Sequence, residues 1–238
     1  MITIRASKER GGADHGWLRT QHSFSFADYY DPKHMGFRSL RVINEDHIAP
    51  GKGFGVHGHR DMEIISYVVE GALAHKDSMG NVAPIPAGEV QYMSAGSGVK
   101  HSEFNHSSDA WTHMLQIWIE PSEVGAPSRY AQNKVSREEK LGRWKTVASG
   151  VGASASQEEG SFQIRQDAKM FAAILEENGA LSYELGEGRG AWVQVVKGEV
   201  ELDGKVLTAG DAAAIESQPH FNVKGRSKES ELLLFDLL

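Results

Sequence analysis

Two pairs of potential metal ligands stand out in the sequence, and in each pair the members are two residues apart. The first pair is His57 and His59, and the second is His101 and Glu103. Side chains two residues apart on a β-strand project to the same face, so each pair can point into one interior. Neutral imidazole binds several transition metals, and a carboxylate adds the negative charge that favours a divalent ion. Together the pairs predict a site with three nitrogen ligands and one oxygen ligand.

Glu63 is a further candidate, because it is polar and stands four residues after His59 at the start of an apolar run. Counting alternate residues from His59 places it on the ligand face. Three roles are open to it: a ligand, a partner that supports the ligands, or part of the outer face of a strand. Histidines without a partner at ligand spacing are expected to be structural or exposed; these are His22, His34, His47, His75, His106 and His113. Among them His113, which precedes a predicted strand, is the best candidate to support the ligands.

The composition restricts the other chemistry that is available. The 238 residues include no cysteine, which excludes disulfides, thiolate zinc sites, cysteine nucleophiles and iron–sulfur clusters. The formal net charge is −7 and the basic residues are scattered, so we expect no direct binding to nucleic acid or to an anionic membrane. No apolar run approaches the ~18 residues of a membrane span, and the first residues lack the apolar core of a secretory signal. We therefore expect a cytoplasmic protein.

Short apolar runs separated by glycines predict a protein built mainly of strands. The predicted strands are Leu40 to Asn44, Ile64 to Glu70, Glu89 to Met93, Met114 to Glu120, Ala191 to Val196, Glu199 to Leu202 and Glu231 to Leu237. The alternating residues 1–10 predict a first strand. The spacing of Ser136 and Glu139 is that of a capping box and predicts one short helix. Residues 169–177 are bounded by turn residues, and we expect a strand there despite their helical propensity.

A repeat divides the chain into two similar halves. Tyr67-Val-Val-Glu-Gly71 is followed by Pro86-Ala-Gly88-Glu, and Gln194-Val-Val-Lys-Gly198 is followed by Thr208-Ala-Gly210-Asp. Each copy predicts three strands joined by two tight turns, and the interval between its glycines shortens from seventeen residues to twelve. Residues 121–160, and 149–160 above all, are rich in Gly, Ser, Ala and Pro, which is typical of a connection between domains.

The glycines and candidate ligands together resemble the two cupin motifs. The matching residues are Gly51-x5-His57-x-His59-x3-Glu63-x7-Gly71, then Gly80-x5-Pro86-x-Gly88, and later His101-x3-Asn105. One extra residue before Gly71 and twelve residues between Gly88 and His101 depart from the general pattern.

The segment Ala95-Gly-Ser-Gly-Val-Lys-His101-Ser-Glu103, together with Asp77-Ser-Met-Gly80, is similar to the pirin branch of the two-domain cupins, the bicupins. The opening His15-Gly-Trp17 and the segment from His22 to Pro32 resemble the bacterial members of that branch to which quercetin 2,3-dioxygenase activity is ascribed. The likeness extends over nearly the whole chain.

This resemblance implies an all-β bicupin with two tandem β-barrel domains, each a double-stranded β-helix, and few short helices. We expect an N-terminal metal-binding domain over 1–125, a linker with a short helix over 126–160, and a C-terminal domain over 161–238. The N-terminal strand is expected to be able to exchange between domains. Positions in the second repeat that correspond to the ligands hold no imidazole pair; they are Glu184, Gly186 and Val223. The C-terminal domain is therefore predicted to be metal-free, and two barrels in one chain favour a monomer.

The family's metal ligands correspond to His57, His59, His101 and Glu103, which leaves Glu63 a supporting or structural role. The resemblance implies one divalent transition metal per chain, with iron favoured and nickel, copper, cobalt, manganese and zinc as alternatives. It also implies a dioxygenase that uses O2 to open the flavonol ring of quercetin-like substrates and releases carbon monoxide. Glu103 is then the candidate catalytic base for the substrate hydroxyl, a role that requires it to loosen from the metal.

Two other functions are compatible with the same ligands. Some pirin-like proteins are regarded as metal-dependent interaction proteins that bind transcription factors, and the acidic charge of this chain leaves only regulation through such a protein partner. A metal-dependent isomerase on a cupin barrel would turn over sugar phosphates without oxygen. Aromatic and methionine side chains near the motifs are candidates to line a pocket for a planar substrate, although such residues are more often core; these are Phe24, Phe54, Met62, Met93 and Phe104.

Overall fold

The computed structural model describes residues 1–150 and 160–238, and these residues form almost only β-strands. The helical segments in these two ranges are the α-helix α1 (Arg137–Lys140) and a 3-10 turn at Ser7–Glu9. No helix in the described ranges is long and apolar enough to cross a membrane. The prediction of an all-β protein with few short helices is confirmed.

The strands of the first half of the chain are β1 (Ile2–Arg5), β2 (Gly11–Asp14), β3 (Leu18–His22), β4 (Leu40–Ile48), β5 (Gly53–His59), β6 (Glu63–Glu70), β7 (Ala72–Asp77), β8 (Val82–Pro86), β9 (Glu89–Ser94), β10 (Val99–Asn105), β11 (Thr112–Ile119) and β12 (Arg129–Lys134). Those of the second half are β13 (Lys145–Gly150), β14 (Phe162–Ile164), β15 (Ala168–Glu176), β16 (Ala180–Glu184), β17 (Gly190–Lys197), β18 (Glu199–Leu202), β19 (Lys205–Thr208), β20 (Ala212–Ile215), β21 (His220–Gly225) and β22 (Glu229–Leu237).

The seven apolar runs predicted as strands are all strands, and they correspond to β4, β6, β9, β11, β17, β18 and β22. The stretch 169–177 is also a strand over most of its length, β15 (Ala168–Glu176), because this segment is mostly buried and pairs with the whole length of β22. The predicted capping box is present at α1. The Ser136 hydroxyl accepts a hydrogen bond from the backbone N–H of Glu139, and the Glu139 carboxylate accepts one from the backbone N–H of Ser136.

Contacts within the chain divide it into two compact units. The first unit contains Gly11–Lys134 and Ile164–Gln166, and the second contains Met1–Arg10, the described part of 135–163, and Asp167–Leu238. The N-terminal strand β1 thus lies in the same unit as the C-terminal half, where it pairs antiparallel with β20.

The region 126–160 carries regular structure, namely β12, α1 and β13. Within the Gly- and Ser-rich stretch 149–160, residues 151–159 lie outside the described part of the chain.

The first unit is a sandwich of two antiparallel sheets. The larger sheet has the strand order β12-β9-β6-β11-β4-β3-β2, and the smaller one has the order β5-β10-β7-β8. Apolar side chains of both sheets pack between them: Leu18, Ile48, Val68 and Met114 from the larger sheet, and Leu73 and Ile85 from the smaller. Burial of this apolar surface holds the sheets together. The expected barrel is in fact a sandwich of two open sheets, since neither strand order closes on itself.

The second unit repeats this arrangement with sheets β1-β20-β17-β22-β15-β13-β14 and β16-β21-β18-β19. Its core includes Val193 and Leu232 from the larger sheet and Val200 and Phe221 from the smaller. The glycine repeat falls at equivalent turns of the two units, which confirms it as a structural repeat.

In that repeat, Gly71 and Gly198 end β6 and β17 with φ values of 79° and 76°, and Gly88 and Gly210 precede β9 and β20 with φ of 86°. Such positive φ angles favour glycine because it has no Cβ.

The pairing of β5 with β10 contains a β-bulge that shapes the inner surface of the first unit. His57 is opposite His101, whereas Glu103 is opposite Phe54, so β5 contains one more residue than β10 over this stretch. Beyond the bulge, Gly53 lies against β10 so closely that a Cβ placed on it would be 2.2 Å from the carbonyl oxygen of Glu103. Glycine at this position allows the two backbones to approach.

Replacing Gly53 with alanine is expected to lower the free energy of unfolding by about 1 to 3 kcal/mol, because overpacking forces the two strands apart. Gly55→Ala is the matched control, since a Cβ there would have nothing within 4 Å. Chemical denaturation of both variants measures the difference. An equal loss in both, or no loss in Gly53→Ala, would contradict this account of the strand pairing.

Candidate metal centre

Strands β5 and β10 bring three imidazoles together on the inner face of the smaller sheet. His57 and His101 are direct cross-strand partners, and their ring centroids are 4.4 Å apart. His59, two residues along the same strand, projects to the same side, and its Nε2 is 2.9 Å from Nε2 of His101. The potential ligand atoms of these three residues all lie within 4.8 Å of one another. The spacing predicted from the sequence is therefore realised as one histidine cluster.

The environment keeps two of these imidazoles neutral at physiological pH. Burial, followed by the neighbouring His101 and His57, lowers the pKa of His59 from 6.5 to about 4. Burial, followed by His57 and His75, lowers the pKa of His101 to about 3. Nδ1 of His57 lies 2.8 Å from the carbonyl oxygen of Gly55, which accepts its N–H and leaves Nε2 with a lone pair. Neutral imidazoles with free lone pairs are the form that binds a metal ion.

Glu103 lies in the adjacent part of the same interior and is buried. Its Oε1 accepts a hydrogen bond from the Ser66 hydroxyl at 3.1 Å, and its Oε2 accepts one from the Gln116 amide at 3.0 Å. No lysine or arginine among the described residues forms an ion pair with this carboxylate. A buried carboxylate without a positive partner is costly, and a bound cation next to it would remove that cost.

The donor set thus fits a single divalent metal ion. It combines neutral imidazoles with one carboxylate, and Nδ1 of His101 is buried without a hydrogen-bond partner among the described atoms. Imidazole and carboxylate together suit the first-row divalent metals.

His75 is a buried neighbour of this cluster that the sequence analysis left among the structural histidines. It lies opposite Glu103 in the pairing of β7 with β10, and it forms a second group of potential ligands with His101 and Glu103. Its Nε2 lies 3.1 Å from Oδ2 of Asp77, a carboxylate that orients the ring. The signal in the sequence is the spacing of His75 and Asp77, which is the same two-residue spacing as in the ligand pairs.

Glu63 lies away from the cluster and has a structural role. Its carboxylate accepts hydrogen bonds from the hydroxyls of Tyr92 and Ser94, at 2.5 and 2.6 Å, and from the backbone N–H of Arg165 at 2.9 Å. Counting alternation from His59 gave the wrong face, because β5 ends at His59 and a turn with Asp61 at φ 49° precedes β6. Alternation does not continue through such a turn.

His113 also points away from the cluster, so the expectation that it supports the ligands is wrong. Its ring stacks on His47 with centroids 4.1 Å apart, and its Nε2 lies 3.0 Å from Glu45. Both partners are on the face of β4 opposite to Asn44 and Asp46, since side chains alternate along a strand.

A cavity of about 400 Å³ opens beside the cluster. Of the expected ligands, His57, His59 and Glu103 line it. Its remaining lining includes the aromatic rings of Phe26, Phe54 and Trp118 and the polar side chains of Thr20, His22, Asn44, Asp46 and Gln116. This volume lies within the ~300 to 1,000 Å³ that is typical of small-molecule sites.

The aromatic wall comes partly from the loop that follows β3. Phe26 packs edge-on against Trp118 with centroids 5.4 Å apart, and Trp118 in turn packs edge-on against His59 at 4.9 Å. The loop is closed on itself because the Ser25 hydroxyl accepts from the backbone N–H of Asp31 and donates to its carbonyl.

Of the five side chains expected to line a pocket, only Phe54 does so. Met62 and Met93 pack in an apolar cluster with Ile64, and Phe24 is buried outside the cavity lining. Phe104 is 40% exposed, because it alternates with Glu103 and so faces away from the interior.

Asp46 is a polar residue of the cavity that the sequence analysis missed. It lies on β4, two residues beyond the predicted strand Leu40 to Asn44, and it is only 4% exposed. Burial, followed by the charges of Glu103 and Glu45, raises its pKa from 3.8 to about 7, although a hydrogen bond from Thr20 opposes the shift. The signal in the sequence is that Asn44 and Asp46 lie on the same face of the strand as the apolar residues Val42 and Ile48.

In the second unit, the equivalent pairing of β16 with β21 contains no imidazole opposite an imidazole. Tyr183 is opposite Phe221 and Leu181 is opposite Val223. These side chains pack in the apolar core of that unit. His220 is exposed and lies at the end of the strand, opposite Glu184.

Two family models match successive parts of the chain. A family model described as pirin matches residues 3–119, and a model described as the quercetinase C-terminal cupin domain matches residues 151–237. The chain is 44% identical to a quercetin 2,3-dioxygenase of Escherichia coli, over all of this chain and 99% of the relative. It is 40% identical to a pirin-like protein of Caulobacter vibrioides, over 99% of both chains.

Solved structures give the same result. The bacterial pirin YhhW of Escherichia coli, whose crystal structure is a complex with nickel(II), superposes with a TM-score of 0.92 at 43% sequence identity and covers the whole chain. A quercetin 2,3-dioxygenase structure from Acinetobacter baumannii superposes with a TM-score of 0.74 at 20% identity, which shows the shared fold.

The raised pKa of Asp46 predicts how its replacement changes stability with pH. As the pH rises from about 3.8 to about 7, the unfolded chain releases this proton while the folded chain retains it. The unaltered protein should therefore lose stability relative to Asp46→Asn across this window. Urea denaturation of the metal-free proteins at several pH values measures the effect, with Glu120→Gln, an exposed carboxylate that does not contribute to the shift of Asp46, as the control. If the difference in unfolding free energy between the unaltered protein and Asp46→Asn stays constant from pH 4 to 8, the pKa of Asp46 is not raised.

Proposed function

The chain belongs to the pirin family, and we propose that it is a metal-dependent dioxygenase that acts on quercetin-like aromatic substrates. One observation carries the proposal: a single cavity is lined both by aromatic rings and by three of the four expected metal ligands. The cavity therefore offers aromatic rings against which a planar substrate can pack and metal ligands close to them. The relatives named quercetin 2,3-dioxygenase support the same reaction.

We propose His57, His59, His101 and Glu103 as the ligands of one divalent transition metal per chain. The convergence of the imidazoles and the buried carboxylate without a basic partner support this set. Iron is our first expectation, whereas nickel is the ion of the related YhhW complex. Four protein ligands leave positions open around an ion that prefers five or six.

A bound metal of this kind supplies Lewis acidity toward a substrate hydroxyl and brings it together with O2. The protein's own contribution is orientation. Trp118 and Phe26 form one wall of the cavity, and Phe54 lies on the side of His57, so a flat aromatic frame is held with one edge toward the ligands. In the reaction we propose, a flavonol and O2 give the ring-opened ester acid and carbon monoxide.

Within this proposal, Glu103 serves as a ligand first. Both of its oxygens are already held by Ser66 and Gln116, which aim the carboxylate from the opposite sheet. Residues that orient a ligand in this way raise metal affinity. To act as the catalytic base as well, this carboxylate would have to leave the metal and break one of its hydrogen bonds.

The two glutamates should differ in their effect on metal binding. The unaltered protein should hold one ion per chain, and Glu103→Gln should lose most of it, because a neutral amide is a weaker ligand. Glu63→Gln should retain the ion, since that carboxylate bonds to Tyr92, Ser94 and Arg165 instead. Elemental analysis of protein purified without chelators measures both. Loss of metal from Glu63→Gln with retention by Glu103→Gln, or two ions per chain, would contradict the assignment.

The metal-loaded protein should consume oxygen with quercetin and release carbon monoxide, and His101→Ala should stop both. An oxygen electrode, a carbon monoxide assay and the loss of flavonol absorbance measure the reaction for each metal form. Free metal and metal with the variant serve as controls, because flavonols oxidise without an enzyme. If every metal form retains its ion but only matches these controls, the dioxygenase proposal fails. A metal-dependent interaction with a regulatory protein would then take its place.

A further inference from the structure

Asp46 carries a free acceptor inside the cavity. Its Oδ1 is buried and has no hydrogen-bond partner among the described atoms, while Thr20 on β3 donates a side-chain hydrogen bond to the carboxyl group. Asp46 forms no ion pair with a basic side chain in the described residues. A buried polar atom without a hydrogen-bond partner lowers the stability of the folded protein. A ligand that donates a hydrogen bond to Oδ1 would remove this cost.

The other carboxylate in the cavity is already engaged. Both oxygens of Glu103 accept hydrogen bonds, and Glu103 is also the oxygen ligand of the proposed metal site. The amide of Gln116 is occupied by that carboxylate, and the amide oxygen of Asn44 lies 2.7 Å from Nδ1 of His22. Asp46 is therefore the carboxyl group of the cavity that has an oxygen available to a substrate.

We propose that Asp46 is a catalytic residue that takes the proton of the substrate hydroxyl entering this cavity. The inference rests on the proposed dioxygenase function and deepens it, since it selects aromatic substrates with an acidic hydroxyl beside a carbonyl. The O–H bond of the substrate breaks and an O–H bond forms at Oδ1, while the electron pair stays on the substrate oxygen. The proton returns to the carboxylate of the ring-opened product or to water.

The charges around Asp46 suit this role. Glu103 on β10 and Glu45 on β4 raise its pKa together with burial, whereas Thr20 on β3 and His113 on β11 lower it, and the balance lies at about 7. A general base works best when its pKa is close to the working pH.

Anaerobic binding of quercetin tests the proposal without turnover. As the pH rises, the visible absorbance of quercetin bound to the metal-loaded protein should change from that of the neutral flavonol to that of its anion. The midpoint pH of this change should be lower in the unaltered protein than in Asp46→Asn. Glu120→Gln is the matched control, because it makes the same carboxylate-to-amide change at an exposed residue that follows β11 and does not contribute to the shift of Asp46, and it should leave the midpoint unchanged. With oxygen present, Asp46→Asn should lower kcat by about 10² to 10⁴-fold with a smaller change in KM.

Equal midpoints in the unaltered protein and in Asp46→Asn, with metal content and fold preserved, would overturn the proposal even if the enzyme turns quercetin over. Conversely, a normal shift of the midpoint without any oxygen uptake would leave Asp46 as proton acceptor and remove the dioxygenase function. If Asp46→Asn fails to fold, Thr20→Val replaces it as the test. Loss of the Thr20 hydrogen bond should raise the pKa of Asp46, which makes it a stronger proton acceptor and lowers the midpoint. An unchanged midpoint would count against the proposal.

Discussion

The antiparallel pairing of β5 with β10 is the constraint on which the proposed site depends. It sets His57 opposite His101, and the bulge next to this pair allows Glu103 to point into the same interior although β5 contains an additional residue there. Backbone hydrogen bonds fix this register, and a slip of either strand by one residue would turn the ligands of that strand to the outer face. The close approach at Gly53 belongs to the same constraint, because it keeps the end of β5 against the strand that carries Glu103.

Comparison of the two units shows that the proposed metal site replaces part of the apolar packing of a sandwich. In the second unit, Tyr183 and Phe221 occupy the paired strands where the first unit has imidazoles, and they add to an apolar core. The first unit gives up part of this apolar packing for buried histidines and carboxylates. Burial lowers the pKa values of His59 and His101. The loss of hydration that makes these residues costly in a core therefore also keeps them neutral, which is the form that binds a metal.

Two carboxylates in one cavity have different environments and hence different suitable roles. Glu103 is held by donors on the opposite sheet, which fix the direction of its carboxylate. Asp46 has a hydrogen bond from Thr20 but a second oxygen without a partner, and nearby negative charge adds to the effect of burial. Two carboxyl groups in unlike environments commonly divide the tasks of a reaction, one as a fixed ligand or charge and the other as a proton carrier.

The sequence by itself determined the strands, the repeat and the two ligand pairs, because alternation and glycine turns are local properties of the chain. His57 and His59 share a face through the period of a strand, and so do His101 and Glu103, whatever the rest of the fold does. The same rule failed for Glu63, where a turn interrupts the strand. Only the tertiary structure decided which polar groups meet: His75 beside Glu103, Asp46 in the cavity, and Trp118 against His59. These residues are distant in sequence, and their contacts follow from the order of strands in the two sheets, which no local pattern encodes.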